Sequence, residues 1–565
     1  MKSTIPKREY IIVDVTGGRF HMISLPIISI HSLPWMNFRT IITGTVDSRQ
    51  GGNLGPGLQY CSCTYPILSA PARYADRFTD LYAPFMHKRN RSNSRDIIFN
   101  YAIWRGILGN SAVLGAIRDI FGDRSSFSEI DRACYSFDAT GVSVLPDGVV
   151  FPENEREVRE LLILANRFSF PVIPRGAGTG FSGGTVPING GVVLSFEGMD
   201  SIIDIDEKNM TARVMPGVVL ERLREEVRRR GLYYPPDPAS KAFCTIGGNI
   251  AECAGGPSAF KYGVTKHYVL SLRNVLPTGE SVETGVSTVK GVVGYDITGL
   301  LVGSEGTLTV VTEAVLKLVP HPESFSTILT AFRDMEEAST AVNEIVSSKV
   351  MPSAIELMDK TAVGCVREHG DIPIQEDAGC YLLVELDGFE EEVRVRSLKL
   401  MDTLSRLGPI SINVGESEDE REALWAMRRA ISPSLLKLSP KKINEDITVP
   451  RTKLPAMMGH LSELSEESGI PIVSFGHAGD GNIHVNIMID DSLPEEVRKA
   501  GEIVRRVFSL TVEMGGTISG EHGVGLSKKP FLSMELGEDQ IKLMKRLKHL
   551  FDPNLILNPH KIFPG

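Results

Sequence analysis

The stretch PVIPRGAGTGFSGG, residues 171–184, decides how the rest of the chain is read. It sets Gly176, Gly178, Gly180, Gly183 and Gly184 around a single Arg175, with Gly190 close behind, and the arginine is expected to stand exposed. Where no Cβ intervenes, backbone N–H groups can approach a pyrophosphate closely, although one such loop alone is as often a tight turn. Two more glycine-rich stretches follow, CTIGGNIAECAGGPSAFKYG at 244–263, after PPDPASKAF, and GYDITGLLVGSEGTLTVVTEA at 294–314. Three such loops in one block are hard to ascribe to turns. The strand–GxGxxG–helix unit of a dinucleotide Rossmann fold is missing from this block.

Around these loops the pattern is α+β. Apolar spacing at Val158, Leu161, Leu162 and Ala165, and again at Leu220, Leu223 and Val227 before Gly231, predicts two amphipathic helices. Strands are predicted at 191–195, 200–206, 212–217 and 307–319. Pro320 and Pro322 then precede FSTILTAF (325–332) and open a second domain. Helices near 335–349 and 390–406 alternate with strands at 380–386 and 409–414, which predicts βαβ units in a partly antiparallel, ferredoxin-like sheet. Helices near 417–437, 453–468 and 494–514 complete it.

A chain of 565 residues can bury two to four cores, and 42% apolar with 23% charged residues is the composition of a soluble globular protein. A formal net charge of -10 argues against nucleic acid and for a small-molecule partner. The seven cysteines include no CxxC pair for an iron–sulfur cluster, and the chain reads as reduced and cytoplasmic, with attachment to the inner face of a membrane left open. No apolar run reaches the roughly 20 residues of a membrane span, and no stretch has the form of a signal peptide. Residues 1–112, with little periodicity and the basic run HKRNRSNSR, read as an N-terminal extension that is disordered or not translated at all. Because no Met lies between Met86 and Met199, the second reading requires a non-Met start near Val113.

The strongest single feature is FGHAGDGNIHVNI (475–487), followed by GGTISGEHGVG (515–525). A Gly/Asp/Asn turn between His477 and His484 could bring both imidazoles to one end of a sheet. With Glu521 they form a set of two imidazoles and one carboxylate, which leaves a metal with open positions, as a catalytic site requires.

In the order PRGxGTxxxGG, TIGGNxAxxAGG, GxxGSEGTL, residues 138–320 resemble the two-subdomain FAD-binding domain of the vanillyl-alcohol oxidase superfamily, the PCMH-type domain. The His/Glu motifs and LWAMRRAIS (424–432) resemble the C-terminal domain of the glycolate oxidase D-subunit, D-lactate dehydrogenase and D-2-hydroxyglutarate dehydrogenase family. Together the resemblance covers residues 113–565, divided into an FAD-binding domain at 113–320 and a substrate- and metal-binding domain at 321–565. The closing FDPNLILNPHKIF (551–563) departs from the family's NPGK motif, with His560 in place of the glycine.

The resemblance implies that Pro174, Arg175, Gly176, Ala177, Gly178 and Thr179 cradle the FAD pyrophosphate. Thr245, Gly247, Gly248 and Asn249 would line the flavin, with Asp237, Ser240 and Gly255 near them and Thr307 and Val310 towards the ADP part. His477, His484 and Glu521 match the metal ligands, His522 the proton-accepting base, Asn486 a substrate contact and Arg428 the carboxylate clamp. Zn²⁺ fits the ligand types first, and Fe²⁺ or Mn²⁺ also suit them. The implied reaction is oxidation of a D-2-hydroxy acid, D-lactate or glycolate first and D-2-hydroxyglutarate as the alternative, by hydride transfer to flavin N5. The chain does not name the electron acceptor: a quinone, a cytochrome, a flavoprotein and a separate iron–sulfur subunit stay open, as does a homodimer. Two rivals of other classes are a metal-dependent hydrolase with Glu513 or Asp480 as base and a non-catalytic flavin electron-relay subunit.

Overall fold

A helix begins where the apolar pattern does. In the computed structural model, which describes residues 10–15, 19–24, 109–366, 375–415 and 417–564, Asn110 caps the helix Ser111–Phe121, and Val113, Ile117 and Phe121 are buried. The chain divides into two units, Met1–Arg73 and Tyr74–Gly565. In the first, the described residues form an antiparallel hairpin of β1 (Tyr10–Val15) and β2 (Arg19–Ser24). The rest of the sequence read as an extension lies outside the described residues, up to residue 108.

The second unit opens with a four-stranded sheet of β3 (Ser125–Ser126), β4 (Gly148–Val150), β5 (Val172–Arg175) and β6 (Val192–Ser195), in the order β3-β4-β6-β5. Its parallel strands are nearly continuous apolar runs, as strands covered on both faces must be. The helix Glu155–Phe168 covers the sheet with Val158, Leu161, Leu162 and Ala165, each fully buried; the valine and the two leucines contribute about 1.5–3 kcal/mol apiece. An antiparallel sheet follows, built from β7 (Ile202–Asp206), β8 (Thr211–Val214), β10 (Val269–Val275), β11 (Ser281–Gly285) and β12 (Val310–Lys317) in the order β11-β10-β12-β8-β7. The short strands β9 (Leu232–Tyr233) and β13 (Val319–Pro320) pair beside it.

The third sheet positions the chemistry. It runs β17-β14-β16-β15-β19-β20-β18, from β14 (Ser324–Phe332), β15 (Ala354–Asp359), β16 (Cys380–Gly388), β17 (Ser411–Gly415), β18 (Lys441–Thr448), β19 (Ile472–His477) and β20 (Asn482–Ile489). The part β17-β14-β16-β15 has the strand order of a ferredoxin-like unit, and every pairing in the sheet is antiparallel rather than partly so. The βαβ units are split: the strands joined by the helices Met335–Ser347 and Glu390–Arg406 are not neighbours, so the strand inserted between them runs the other way.

Side chains alternate across a strand, and this sheet uses the alternation fully. One face is apolar, with Ile355, Leu357, Leu382, Val384, Ile443, Ile447, Ile483, Val485 and Ile487 packed under helices such as Met335–Ser347, Leu454–Ser468 and Pro494–Glu513. The alternate positions Glu356, Glu385, Asn444, Asp446, His477, His484 and Asn486 share the opposite face, which faces the first two sheets across the helix Glu418–Ser434.

The end of the chain returns to the first sheet. Val172 donates to Ile556 O and accepts from Asn558 N, and Ile556 and Leu557 are buried in that core. Lys561 Nζ donates to the carbonyls of Gly183 and Val186, holding the glycine-rich loop from below. His560 completes the turn in the left-handed region at φ 64°, where a glycine would carry no steric cost. Because an L-residue there costs roughly 1–2 kcal/mol, His560→Gly is expected to raise the urea midpoint of unfolding. A lowered midpoint would show that the imidazole contributes more than the backbone strain removes.

Candidate active site

Between the lobes lies a cavity of about 460 Å³. One wall is the loop Pro174, Arg175, Gly176, Ala177, Gly178 and Thr179, with Asp237, Ser240, Thr245, Gly247, Gly248, Asn249 and Val310, so all the proposed flavin residues but two line it. The exceptions are Gly255 and Thr307. A Cβ on Gly255 would come within 2.8 Å of Glu521 Oε2, so this glycine lets the loop pack against the metal motif. Thr307 donates from Oγ1 to Ser304 O, and its carbonyl accepts from Lys548 Nζ at 2.6 Å, which makes it part of the anchor for the chain's end.

Arg175 is buried, not exposed as its glycine-rich setting suggested. Its Nη1 donates to Phe137 O at 2.7 Å and Thr185 Oγ1 at 3.1 Å, and the guanidinium lies over the Tyr135 ring. Gly178, at φ 69°, leaves the space this side chain fills, so Arg175 supports the loop from beneath. Gly176 likewise clears Thr245, whose hydroxyl caps the helix Ile246–Glu252. Three buried atoms of the cavity wall, Asp138 Oδ2, Glu252 Oε2 and Asn558 Oδ1, have no hydrogen-bond partner among the described residues. Backbone stripped of Cβ atoms beside unspent polar groups fits a large polar ligand such as FAD.

At the other end, β19 and β20 bring His477 and His484 together with ring centroids 5.2 Å apart. Their Nε2 atoms point at one oxygen, Glu521 Oε1, at 3.5 and 3.6 Å. His522 stacks between His484, at 5.3 Å, and Phe181, at 5.1 Å. All four residues of this cluster line the cavity.

Burial works against charge on His477, but the carboxylates of Glu356 and Glu521 hold its pKa well above the ordinary value. Burial lowers His484 to about 3. Glu521, despite burial, is held down to about 2 by its bond to His477. One carboxylate between two imidazoles supports one added proton, and a divalent cation at the same point would satisfy all three donors. Burial also lowers the pKa of His522, whose Nδ1 has no hydrogen-bond partner among the described residues.

Asp446, which the sequence did not single out, lies within reach of the same donors: its carboxylate and ligand atoms of His484, Glu521 and His522 fall within 4.8 Å of one another. Its oxygens are already taken, Oδ2 by the backbone N–H of Glu521 and of His522 at 2.8 and 2.9 Å, and Oδ1 by Asn482 Nδ2. Asp446 therefore holds the Glu521–His522 loop, and this group shares His484 and Glu521 with the expected donor set, in which His477 stands in place of Asp446 and His522.

The helix Glu418–Ser434 lines the cavity with Glu418, Arg421, Glu422, Trp425, Arg428, Arg429 and Ser432, one face at helical spacing. Arg428 is on that face and over the Phe475 ring, with Nε and Nη2 bonded to Glu356 Oε2 at 2.7 and 2.6 Å. Part of the guanidinium fork expected for substrate is thus committed to Glu356. Asn486 corrects the sequence reading: it does not line the cavity, because its Nδ2 donates to the carbonyls of Val473 and His484. Its cross-strand partner Asn444 lines the cavity instead, held by Asn486 Oδ1 at 2.6 Å. Of the two alternative bases for a hydrolase, Glu513 is exposed at a helix end and Asp480 does not line the cavity.

Residues 146–285 match the family model described as an FAD binding domain, and residues 321–562 match that of FAD linked oxidases, C-terminal domain. The chain is 41% identical over 438 residues to the glycolate oxidase subunit GlcD of Bacillus subtilis, covering 77% of this chain and 93% of that one. It is 37% identical to a D-lactate dehydrogenase of Archaeoglobus fulgidus, covering 76% and 95%. Among solved structures, the 4-ethylphenol oxidase of Gulosibacter chungangensis superposes with a TM-score of 0.66 at 18% identity, over 80% of this chain and 97% of that one, a likeness of fold.

Proposed function

The chain belongs to the FAD-linked oxidases as a flavin-dependent 2-hydroxy-acid oxidoreductase, and from that premise we propose that it oxidises a D-2-hydroxy acid, D-lactate or glycolate, to the 2-oxo acid. The observation that carries this reading is the convergence of His477 Nε2 and His484 Nε2 on Glu521, with His522 stacked alongside, at the far end of the cavity lined by the glycine-rich loop. Residues 113–320 hold the flavin and 321–565 the substrate and metal, with the chain's end bracing the flavin loop.

When bound, FAD supplies the hydride acceptor at N5, and a divalent metal held by His477, His484 and Glu521, Zn²⁺ first and Fe²⁺ or Mn²⁺ also suited, lowers the pKa of the 2-hydroxyl. Arg428 binds the substrate carboxylate with the N–H groups that Glu356 leaves free, and a guanidinium carries five. His522, kept neutral by burial, takes the hydroxyl proton as the Cα hydride leaves. Phe181 and His484 hold its ring between them, which limits the directions in which it can accept. Asn444 offers the polar contact first assigned to Asn486.

The test is anaerobic mixing of the yellow protein with a panel of 2-hydroxy acids. Bleaching of the flavin by D-lactate or glycolate, and not by L-lactate, is the expected result. If no 2-hydroxy acid bleaches the bound flavin, the chain is a relay subunit and this reading fails. Bleaching by D-2-hydroxyglutarate alone would move the substrate to a dicarboxylate while keeping the chemistry.

A further inference from the structure

Glu356 is a carboxylate with no exposure to solvent on a strand the sequence reading passed over, and it touches both halves of the reaction site. It sits directly opposite His477 in the β15–β19 pair. Its Oε1 accepts from His477 Nδ1 at 2.5 Å, while its Oε2 takes Arg428 Nε and Nη2 at 2.7 and 2.6 Å. An ionised carboxylate only accepts, and both of these partners only donate to it, so every contact is of the kind it requires.

We propose that Glu356 is a positioning residue that builds the metal site and the substrate-carboxylate clamp as one unit, a role resting on the functional reading above. On the His477 side, occupying Nδ1 with a carboxylate keeps the proton there and leaves the Nε2 lone pair for the metal, since the partner of one ring nitrogen sets the tautomer of the other. On the Arg428 side, two N–H groups held at one oxygen lock the guanidinium plane against the Phe475 ring, so the remaining donors meet the substrate carboxylate at a set angle. Because one rigid group holds both, the His477 ring and the Arg428 guanidinium are fixed relative to each other. A 2-hydroxy acid carries its hydroxyl and its carboxylate on adjacent carbons.

The experiment compares parent, Glu356→Gln, Glu356→Asp, Arg428→Lys and the Glu356→Gln/Arg428→Lys double variant, each with flavin bound. Zn²⁺ and Mn²⁺ affinities are read by competition with a chelator, and KM and kcat with D-lactate at saturating metal. A glutamine can accept from only one of the two donors and turns its amide N–H₂ to the other; an aspartate keeps the charge, and with it the partner a buried arginine needs to fold, but cannot reach both. Both single Glu356 variants are expected to bind metal on the order of 10–100-fold more weakly, the usual loss when a ligand's supporting group is removed. They should also raise KM with FAD content unchanged. Arg428→Lys should raise KM while leaving metal affinity near the parent value, and the double variant should raise KM no further than the larger single change, because both break one unit. Metal affinity equal to the parent in both Glu356 variants, or KM effects that multiply, would overturn the proposal while leaving the functional reading intact. A parent protein that binds none of Zn²⁺, Mn²⁺ and Fe²⁺ would overturn both.

Discussion

Removal of the divalent metal by a chelator should abolish turnover of every 2-hydroxy acid and leave the yellow flavin in place. The two candidate sites are built from different elements: the flavin wall comes from the loop after β5 and the residues around Thr245, while the metal donors stand at the ends of β19 and β20 and on the Glu521 loop. Without the cation the three donors satisfy one another, as the His477–Glu521 pair already does, so the protein should stay folded while the hydroxyl loses the charge that lowers its pKa. Activity should return on adding back one of Zn²⁺, Mn²⁺ or Fe²⁺, which would identify the metal. The lobes do meet here, at Gly255 beside Glu521, but Asp446 grips the Glu521 loop through two backbone N–H groups without any help from a metal. Joint loss of metal and flavin absorbance would mean that the two sites are one, and unchanged turnover in the metal-free protein would remove the metal from the reaction.

His522→Ala should retain flavin and metal and lose about two to four orders of magnitude in kcat, the contribution typical of a placed general base. The parent's pH profile should carry the same signature with a definite sign. Only the neutral imidazole accepts a proton, and burial lowers the folded pKa below the ordinary value of about 6.5. The rate should therefore be level at and above pH 7 and fall only as pH drops through a value below 6.5, and that acid limb should disappear in His522→Ala. The readouts are kcat against pH for both proteins, flavin absorbance, and metal content. A variant that turns over within tenfold of the parent would assign the proton to another group, and an acid limb that survives the substitution would belong to one of the carboxylates.

Several features were legible without coordinates because they are local. Glycine-rich loops, a His–turn–His hairpin and a Glu–His pair keep their meaning over a few residues, and apolar periodicity marked the helices Glu155–Phe168 and Leu220–Arg228 and the strands β6, β7, β8, β12, β14, β16 and β17. The flavin lobe, the metal motif and the α+β class follow from such signals. The residues that organise the site were not legible for the opposite reason. Glu356 reaches His477 across 121 residues of chain, and Asp446 reaches the Glu521 backbone across 75. Each sits in a short strand, AIELMD or KKINEDIT, where period two separates a polar from an apolar face but says nothing about which strand lies next to it.

Arg175 and Asn486 were misread through the same gap. Residue type marked Arg175 as exposed and Asn486 as a substrate contact, and neither type nor spacing could tell that Arg175, though it lines the cavity, is buried beneath its loop, while Asn486 donates to backbone carbonyls behind Asn444. Local sequence thus determined which chemistry the chain carries: a phosphate-tolerant backbone, two imidazoles with a carboxylate, and an arginine on a helix face. Strand order in the seven-stranded sheet, and the return of residues 552–562 to the first sheet, decided which of those groups face a common cavity and which stand behind it. The reason is physical: the free energy that selects a strand's neighbour comes from burying whole faces against distant segments, and no window of sequence contains both partners.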